Sequence, residues 1–459
     1  MIARLRRLFG RKFVQDTLVL QIGKIAVTVL SLLGSVVVYR RMGPELFGVF
    51  TLAQSFLTIW GSIDLTGVGT STNIVLAIAI GARDPQGILD ALAFYVKVNL
   101  AINVLILLVI ALLGAPSAVL LYHQSEPQIV TLALGLAVGA IADGLYALIV
   151  IALQSRRSMR VLTGMQIANQ VVLSLCLIAA ALISPTPESL VIGRLIYSYA
   201  TLILALIIYA RVRDQGDVPY PPLHDLFARA WSVSPRPYWR FGLANAIDKN
   251  AAALFTEIPM QLVGIFAGAG AVGYLELAMN GITQAGFLTS GIFQNLEAIV
   301  PQAVGRKDYA GLWRNFLRVL IVMALGSLVL FGLLALVAPF VIPPILGARW
   351  VPAIPALAVL TIYGAVTSVG GLFGPLYRTL NLMRPIITMK VIVLILIVPI
   401  SLLLFAPPAA APAADLSGAG AVTGAWIMNI AFLILIALTA AITLPQLRKH
   451  AYEPQTNPS

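Results

Sequence analysis

The run LVLQIGKIAVTVLSLLGSVVVY, residues 18–39, is apolar enough to cross a bilayer, yet it contains Lys24. A second lysine, Lys249, lies in another such run. A charged side chain near the centre of a membrane helix costs roughly 2.5–3.5 kcal/mol on insertion scales, so a retained ammonium needs water or an anion to face. Lys24 belongs to a stripe of Thr17, Gln21, Lys24, Thr28, Ser31 and Ser35, spaced by fours and threes on one face of a helix. Glu276, Asn280, Thr283, Ser290, Gln294 and Glu297 form a second stripe, with Phe287 filling its gap. Thr51, Ser55, Thr58, Ser62 and Thr66 form a third, with Asp64 on the neighbouring face. Asn245, Asp248, Lys249, Thr256 and Glu257 precede Pro259 on a fourth segment, and that proline loosens its helix locally.

Isolated serines and threonines usually serve as glue between membrane helices. Lysine is a compact, hydrated cation suited to phosphate, so Lys24 and Lys249 are candidate substrate-binding residues. Gln21, Thr28, Asn280 and Gln294 join them as polar lining. Pairing of both lysines with acids, purely to hold helices together, remains the alternative. Glu257 and Asp143 lie deep in apolar runs, and Asp64 and Glu297 nearer helix ends; these four are candidates for coupling transport to protons or sodium. Asp248 reads as a local partner or a cap. Lys97 and Arg194 are within snorkelling reach of a membrane surface.

The elements that must carry these residues are membrane helices. The chain of 459 residues is 59% hydrophobic and 10% charged, with a mean hydropathy of +0.94. Soluble domains are about 25% charged. Twelve spans are expected near 14–39, 46–75, 88–113, 127–151, 160–183, 188–211, 240–265, 271–300, 314–338, 352–377, 386–407 and 418–444. The net charge of +12 does not point to nucleic acid, because the basic residues punctuate apolar runs. With a cytoplasmic N-terminus, the outside turns hold only Arg40, Arg41 and Arg349 of 30 lysines and arginines, so both termini are expected in the cytoplasm. The basic start MIARLRRLFGRKF precedes an apolar stretch too long for a signal-peptide core and is expected to remain as the first helix.

Other chemistries find little support. Cys176 is the only cysteine, and His123, His224 and His450 all fall in loops or the tail. No metal site, cofactor or Walker A loop is expected. No large outside loop carries a serine–histidine pair or a carboxylate cluster for hydrolysis or glycosyl transfer.

A faint repeat divides the chain. GPELFGVFTLA at 43–53 aligns with GAGAVGYLELA at 268–278, an offset of 225 that also carries Lys24 onto Lys249. GARD at 81–84 matches GRKD at 305–308. The expected fold is an all-α integral membrane protein of about twelve transmembrane helices, in two six-helix bundles related by a pseudo-twofold along the membrane normal. The bundles would be residues 1–211 and 240–459, the latter with a short cytoplasmic tail. Residues 212–239 would be a cytoplasmic linker. In it Leu223, Leu226, Phe227, Ala230 and Trp231 recur at helical spacing, as in a short helix lying on the membrane surface. The stripes of spans 1, 2, 7 and 8 would face a shared water-filled cavity.

NAIDKNAAALFTEIPMQLVGIFAGAGAVGYLELA (245–278) resembles the seventh-helix signature of the polysaccharide transporter family, and YRRMGPELFGVFTLAQ (39–54) is similar to its first-turn segment. This is the Wzx-like branch of the multidrug/oligosaccharidyl-lipid/polysaccharide (MOP) flippase superfamily. Glu257 followed by Pro259 departs from a pattern that usually continues apolar or glycine-rich. The resemblance implies a non-enzymatic flippase of the bacterial inner membrane. It would move undecaprenyl-diphosphate-linked oligosaccharide to the outer leaflet for O-antigen, capsule or exopolysaccharide assembly, by alternating access through a cationic central cavity. The expected partners are that lipid-linked glycan, the bilayer, a proton or sodium ion and the polysaccharide polymerase machinery. The rivals are a MATE-like drug or cation antiporter, a lipid II flippase and, from a different class, a membrane glycan polymerase or ligase.

Overall fold

The computed structural model describes residues 11–122, 128–156, 158–215, 219–234, 236–289, 293, 296, 299–301, 303–304, 306–405 and 416–452. Its long elements are α1 (Arg11–Gly61), α2 (Val68–Ala82), α3 (Pro85–Tyr122), α4 (Gln128–Ser155), α5 (Met159–Ile183) and α6 (Pro187–Val212). A short α7 (Leu223–Ala230) precedes α8 (Arg236–Gly286), α9 (Tyr309–Leu346), α10 (Ala353–Gly370), a short α11 (Phe373–Thr379), α12 (Met383–Phe405) and α13 (Leu416–Tyr452). Among the described residues, ten helices are long and apolar enough to cross a membrane. Two of those, in α1 and α8, are interrupted by a residue outside helical geometry: Gly43 (φ 73°, ψ 172°) and Gly268 (φ 80°, ψ 174°). That backbone region is essentially glycine's alone. Each 51-residue helix would run about 76 Å if straight, far beyond a hydrocarbon layer of about 30 Å. Dividing each at its glycine gives twelve spans, and the chain is a multi-pass membrane protein.

The repeat is written into the geometry. Gly43 and Gly268 share one conformation at an offset of 225. Arg83 (φ 55°) and Lys307 (φ 57°) both end a helix in the left-handed region. The next residues repeat the match: the Asp84 amide donates to the Ala79 carbonyl and the Asp308 amide to that of Ala303, both at 3.0 Å. The helices that follow, α3 and α9, each have 38 residues. Packing repeats as well. α4 lies against α3 and α6 and α5 against α6, while α10 lies against α9 and α13 and α12 against α13.

Two compact units emerge, one of Met1–Met42 with Phe56–Ile247, the other of Gly43–Ser55 with Asp248–Ser459. In the second unit, a Cβ on Gly48 would meet the Ala269 carbonyl oxygen at 1.8 Å, and one on Gly273 would meet that of Pro44 at 2.1 Å. The offset of 225 turns one contact into the other. Two helical segments therefore cross with backbones touching, which only glycine permits.

Span 2 departs from expectation. It is not continuous over 46–75: helix stops at Gly61 and resumes at Val68. Between them Asp64 accepts from the Thr66 amide at 2.9 Å and the Thr66 hydroxyl at 2.5 Å, an Asx turn that competes with helix. Span 8 turns to a 3₁₀ segment at Phe287–Thr289, the corresponding place.

Candidate functional site

Lys24 and Lys249 stand on α1 and α8, each nineteen residues before its kink glycine. At helical rise that is about 28 Å, nearly a full hydrocarbon thickness. Kinks set at one boundary of the bilayer would put the lysines toward the other. Lys249 is exposed. The side chains of Lys24 and Gln21 lie outside the described residues, as do Ser290, Gln294 and Glu297. Thr28 is half-buried on α1.

Beside Lys249, Asp248 is 6% exposed and is the anion of a buried cluster. Lys390 Nζ of α12 lies 2.5 Å from one carboxylate oxygen. The Tyr377 hydroxyl of α11 donates to the other at 3.3 Å, and the Arg378 guanidinium lies 3.6 Å from it. Lys390 is itself 9% exposed. Lys390 is not among the residues that the sequence singles out. The signal was its place seven residues into α12, followed by the apolar run VIVLILIV. Adjacent residues of one helix point roughly 100° apart, so Asp248 is committed to the interior while Lys249 is left outward.

The other carboxylates separate by environment. Asp143 on α4 pairs with Arg194 of α6 at 2.9 Å, and that guanidinium also lies 4.5 Å from the Tyr197 ring centre. Asp64 is engaged by its turn. Glu257 is half-buried on α8, and Ser55 Oγ donates to its backbone carbonyl at 3.3 Å. One turn further, the Gln261 amide donates to the Leu52 carbonyl at 3.0 Å. Asn280 donates to Glu276 at 3.0 Å. Asp143 thus belongs to the first unit, and Glu257, Glu276 and Asn280 to the second.

The stripe on span 2 needs correction. Thr51 and Ser55 are buried, bonded to the Phe47 and Glu257 carbonyls, and so act as packing groups and not as a wet lining. Among the described residues no group of three or more His, Cys, Asp or Glu is placed to hold a metal ion.

The sequence profile of a family described as polysaccharide biosynthesis protein matches residues 13–301. Among curated proteins, none shows significant sequence similarity to the chain. Among solved structures, an inward-facing multidrug resistance MATE family transporter of the MOP superfamily is similar with a TM-score of 0.66 at 13% identity, covering 92% of this chain and 99% of its own. The MATE multidrug transporter DinF-BH matches with a TM-score of 0.66 at 17% identity and 97% coverage of both chains. The eukaryotic MATE transporter AtDTX14 matches with a TM-score of 0.62 at 13% identity, covering 96% and 99%. At such identities the likeness establishes the fold.

Proposed function

The chain belongs to the polysaccharide biosynthesis protein family, and from that premise we propose that it is a flippase for undecaprenyl-diphosphate-linked oligosaccharide in the bacterial inner membrane. The observation that carries this reading is the recurrence of Lys24 and Lys249 on repeat-related helices, at one distance from matching kinks. A diphosphate rides at headgroup level while its polyprenyl chain stays in hydrocarbon. In this reading each half of the chain offers one ammonium group to the diphosphate, near the membrane surface and not at the centre. The glycan then follows polar residues such as Thr28 and Asn280 as the two halves alternate in access. Glu257 is the acid best situated for coupling to a proton or sodium ion, because Asp143 is neutralised by Arg194 and Asp64 is held by Thr66. Both termini are cytoplasmic in this reading, and the product feeds O-antigen, capsule or exopolysaccharide assembly.

The MATE fold supports a second reading, export of a drug or cation. Lysines on the transport helices disfavour it, since like charge repels such cargo. Liposomes containing the purified protein and fluorescent undecaprenyl-diphosphate glycans of defined structure separate the two. Transbilayer movement is expected, and it should vanish in the Lys24→Ala/Lys249→Ala double variant while membrane insertion is retained. Normal movement in that variant removes the lysines from the mechanism; export of cationic dye with no lipid movement favours the antiporter.

A further inference from the structure

α7 lies in the connection between α6 and α8 and was expected to rest one apolar face on the membrane. It divides that face instead. Leu226 and Ala230, with Tyr220 and Val233 beside them, are buried in one apolar cluster with Ile88, Ala91, Leu92 and Tyr95 of α3. Phe227 and Trp231, one turn apart on the outer side, are 45% and 88% exposed.

The segment is fastened to the first unit along its length. The Arg229 guanidinium holds both oxygens of Asp90, at 2.7 and 3.4 Å. Lys97 Nζ donates to the Val233 carbonyl at 3.1 Å and the Trp231 carbonyl at 3.5 Å. The Tyr220 hydroxyl donates to the Ala152 carbonyl at 2.7 Å, and the Arg156 guanidinium lies 3.8 Å from the Tyr220 ring centre. Burial pushes that phenol up to about 12, against the pull of Arg156. Trp231 is therefore held at a fixed height on α3.

That height can be read from α3 itself. From Ile88 to Leu100 no position of α3 is exposed; exposed apolar positions then run from Ala101 through Val104, Leu108, Leu112 and Leu120 to Leu121. Those twenty steps span about 30 Å, the thickness of a hydrocarbon layer. Lys97 lies four residues before the band, about 6 Å beyond its edge and hence in the headgroup layer. Trp231, bonded to Lys97 through its carbonyl, is at the same level. An indole there keeps its ring in the apolar edge and its N–H among polar groups, the placement tryptophan favours at membrane surfaces.

We infer that Phe227 and Trp231 form an anchor to the lipid headgroup boundary, which the clamp of Asp90, Lys97 and Arg229 fixes to the first unit. The partner is the bilayer interface, whatever the protein transports. The charges of the segment are mixed, with His224 and Asp225 beside Arg229, so an anionic lipid is not required.

The test uses the full-length protein in liposomes. The fluorescence difference between wild type and Trp231→Phe isolates the Trp231 emission. That component should lose most of its intensity in lipids brominated near the headgroup, less in lipids brominated near the chain ends, and little with aqueous iodide. Strong iodide quenching without bromine quenching would place Trp231 in water and overturn the anchor. Resistance to both would place it against protein, such as a second copy of the chain, and overturn it equally. A spin label on Cys176→Ser/Trp231→Cys gives an independent measure, and His224→Cys in the same background supplies an aqueous reference. The label at 231 should favour oxygen over a water-soluble nickel relaxant relative to that reference; equal accessibility at both sites would reject the proposal.

Discussion

Neighbouring residues on α8 have opposite fates. Asp248 is closed in by Lys390, Tyr377 and Arg378, and Lys249 is left exposed. The buried pair is weak evidence for stability in itself, because desolvating two charges offsets much of their attraction. Breaking it is another matter, since a lone carboxylate would remain in an apolar interior. Lys390→Met should lower stability by about 3 kcal/mol, read as a fall in melting temperature of the detergent-solubilised protein. Arg378 and Tyr377 soften the loss without cancelling it. Adding Asp248→Asn should recover most of it, because the amide has no charge to satisfy and still accepts from Tyr377. A double variant as unstable as the single one would show that the cluster works through packing instead. The sequence marked Asp248 as locally partnered but gave no sign of which partner, since 142 residues separate it from Lys390.

At the level of elements, what could be read in advance was whatever a local backbone demands. Gly43 and Gly268 announced themselves because a sharp bend in the left-handed region excludes other residues, and the offset of 225 followed from them. The break at residues 62–67 stayed hidden because a hydropathy window averages six polar and apolar residues into the surrounding span. Helical spacing also could not tell whether the apolar residues of α7 meet lipid or protein; Leu226 and Ala230 meet α3, Phe227 and Trp231 do not. The reciprocal crossing of Gly48 and Gly273 yields a sharp expectation. Alanine at either site places a methyl group inside a carbonyl oxygen's radius, with backbone and not a flexible side chain in the way. Each single change should cost about 1–3 kcal/mol by overpacking, and the double less than the sum, because the first already forces the helices apart. Gly332→Ala, with nothing within 4 Å, is the control and should leave the melting temperature unchanged or slightly raised. Full additivity of the Gly48 and Gly273 changes would mean that the two contacts are independent and do not form one crossing.

For the whole molecule, hydropathy and charge placement were legible because the bilayer is a solvent with simple rules: about 20 apolar residues per span, and basic residues kept to one side. The span count followed from hydropathy, the doubled architecture from the repeat at an offset of 225, and the MATE-like fold agrees with both. The depth of Lys24 and Lys249 did not follow, because it depends on where the kinks pin the far boundary. Lysines at the mouth, as proposed above, would change what the membrane potential does. In the flippase reading proposed above, ammonium groups at the mouth would capture a diphosphate without accompanying it, so the anion would cross most of the field without a compensating charge. An inside-negative potential of 100 mV then favours outward movement by about 2.3 kcal/mol per unit charge, an acceleration of up to about fiftyfold when the crossing limits the rate. In liposomes with an imposed potassium diffusion potential and no pH gradient, flipping from the compartment that the N-terminus faces should speed up when that compartment is negative and slow when the sign is reversed. A rate indifferent to the potential would mean that the charge is neutralised throughout its passage. The cations would then have to lie along the path, contrary to the depth proposed for Lys24 and Lys249.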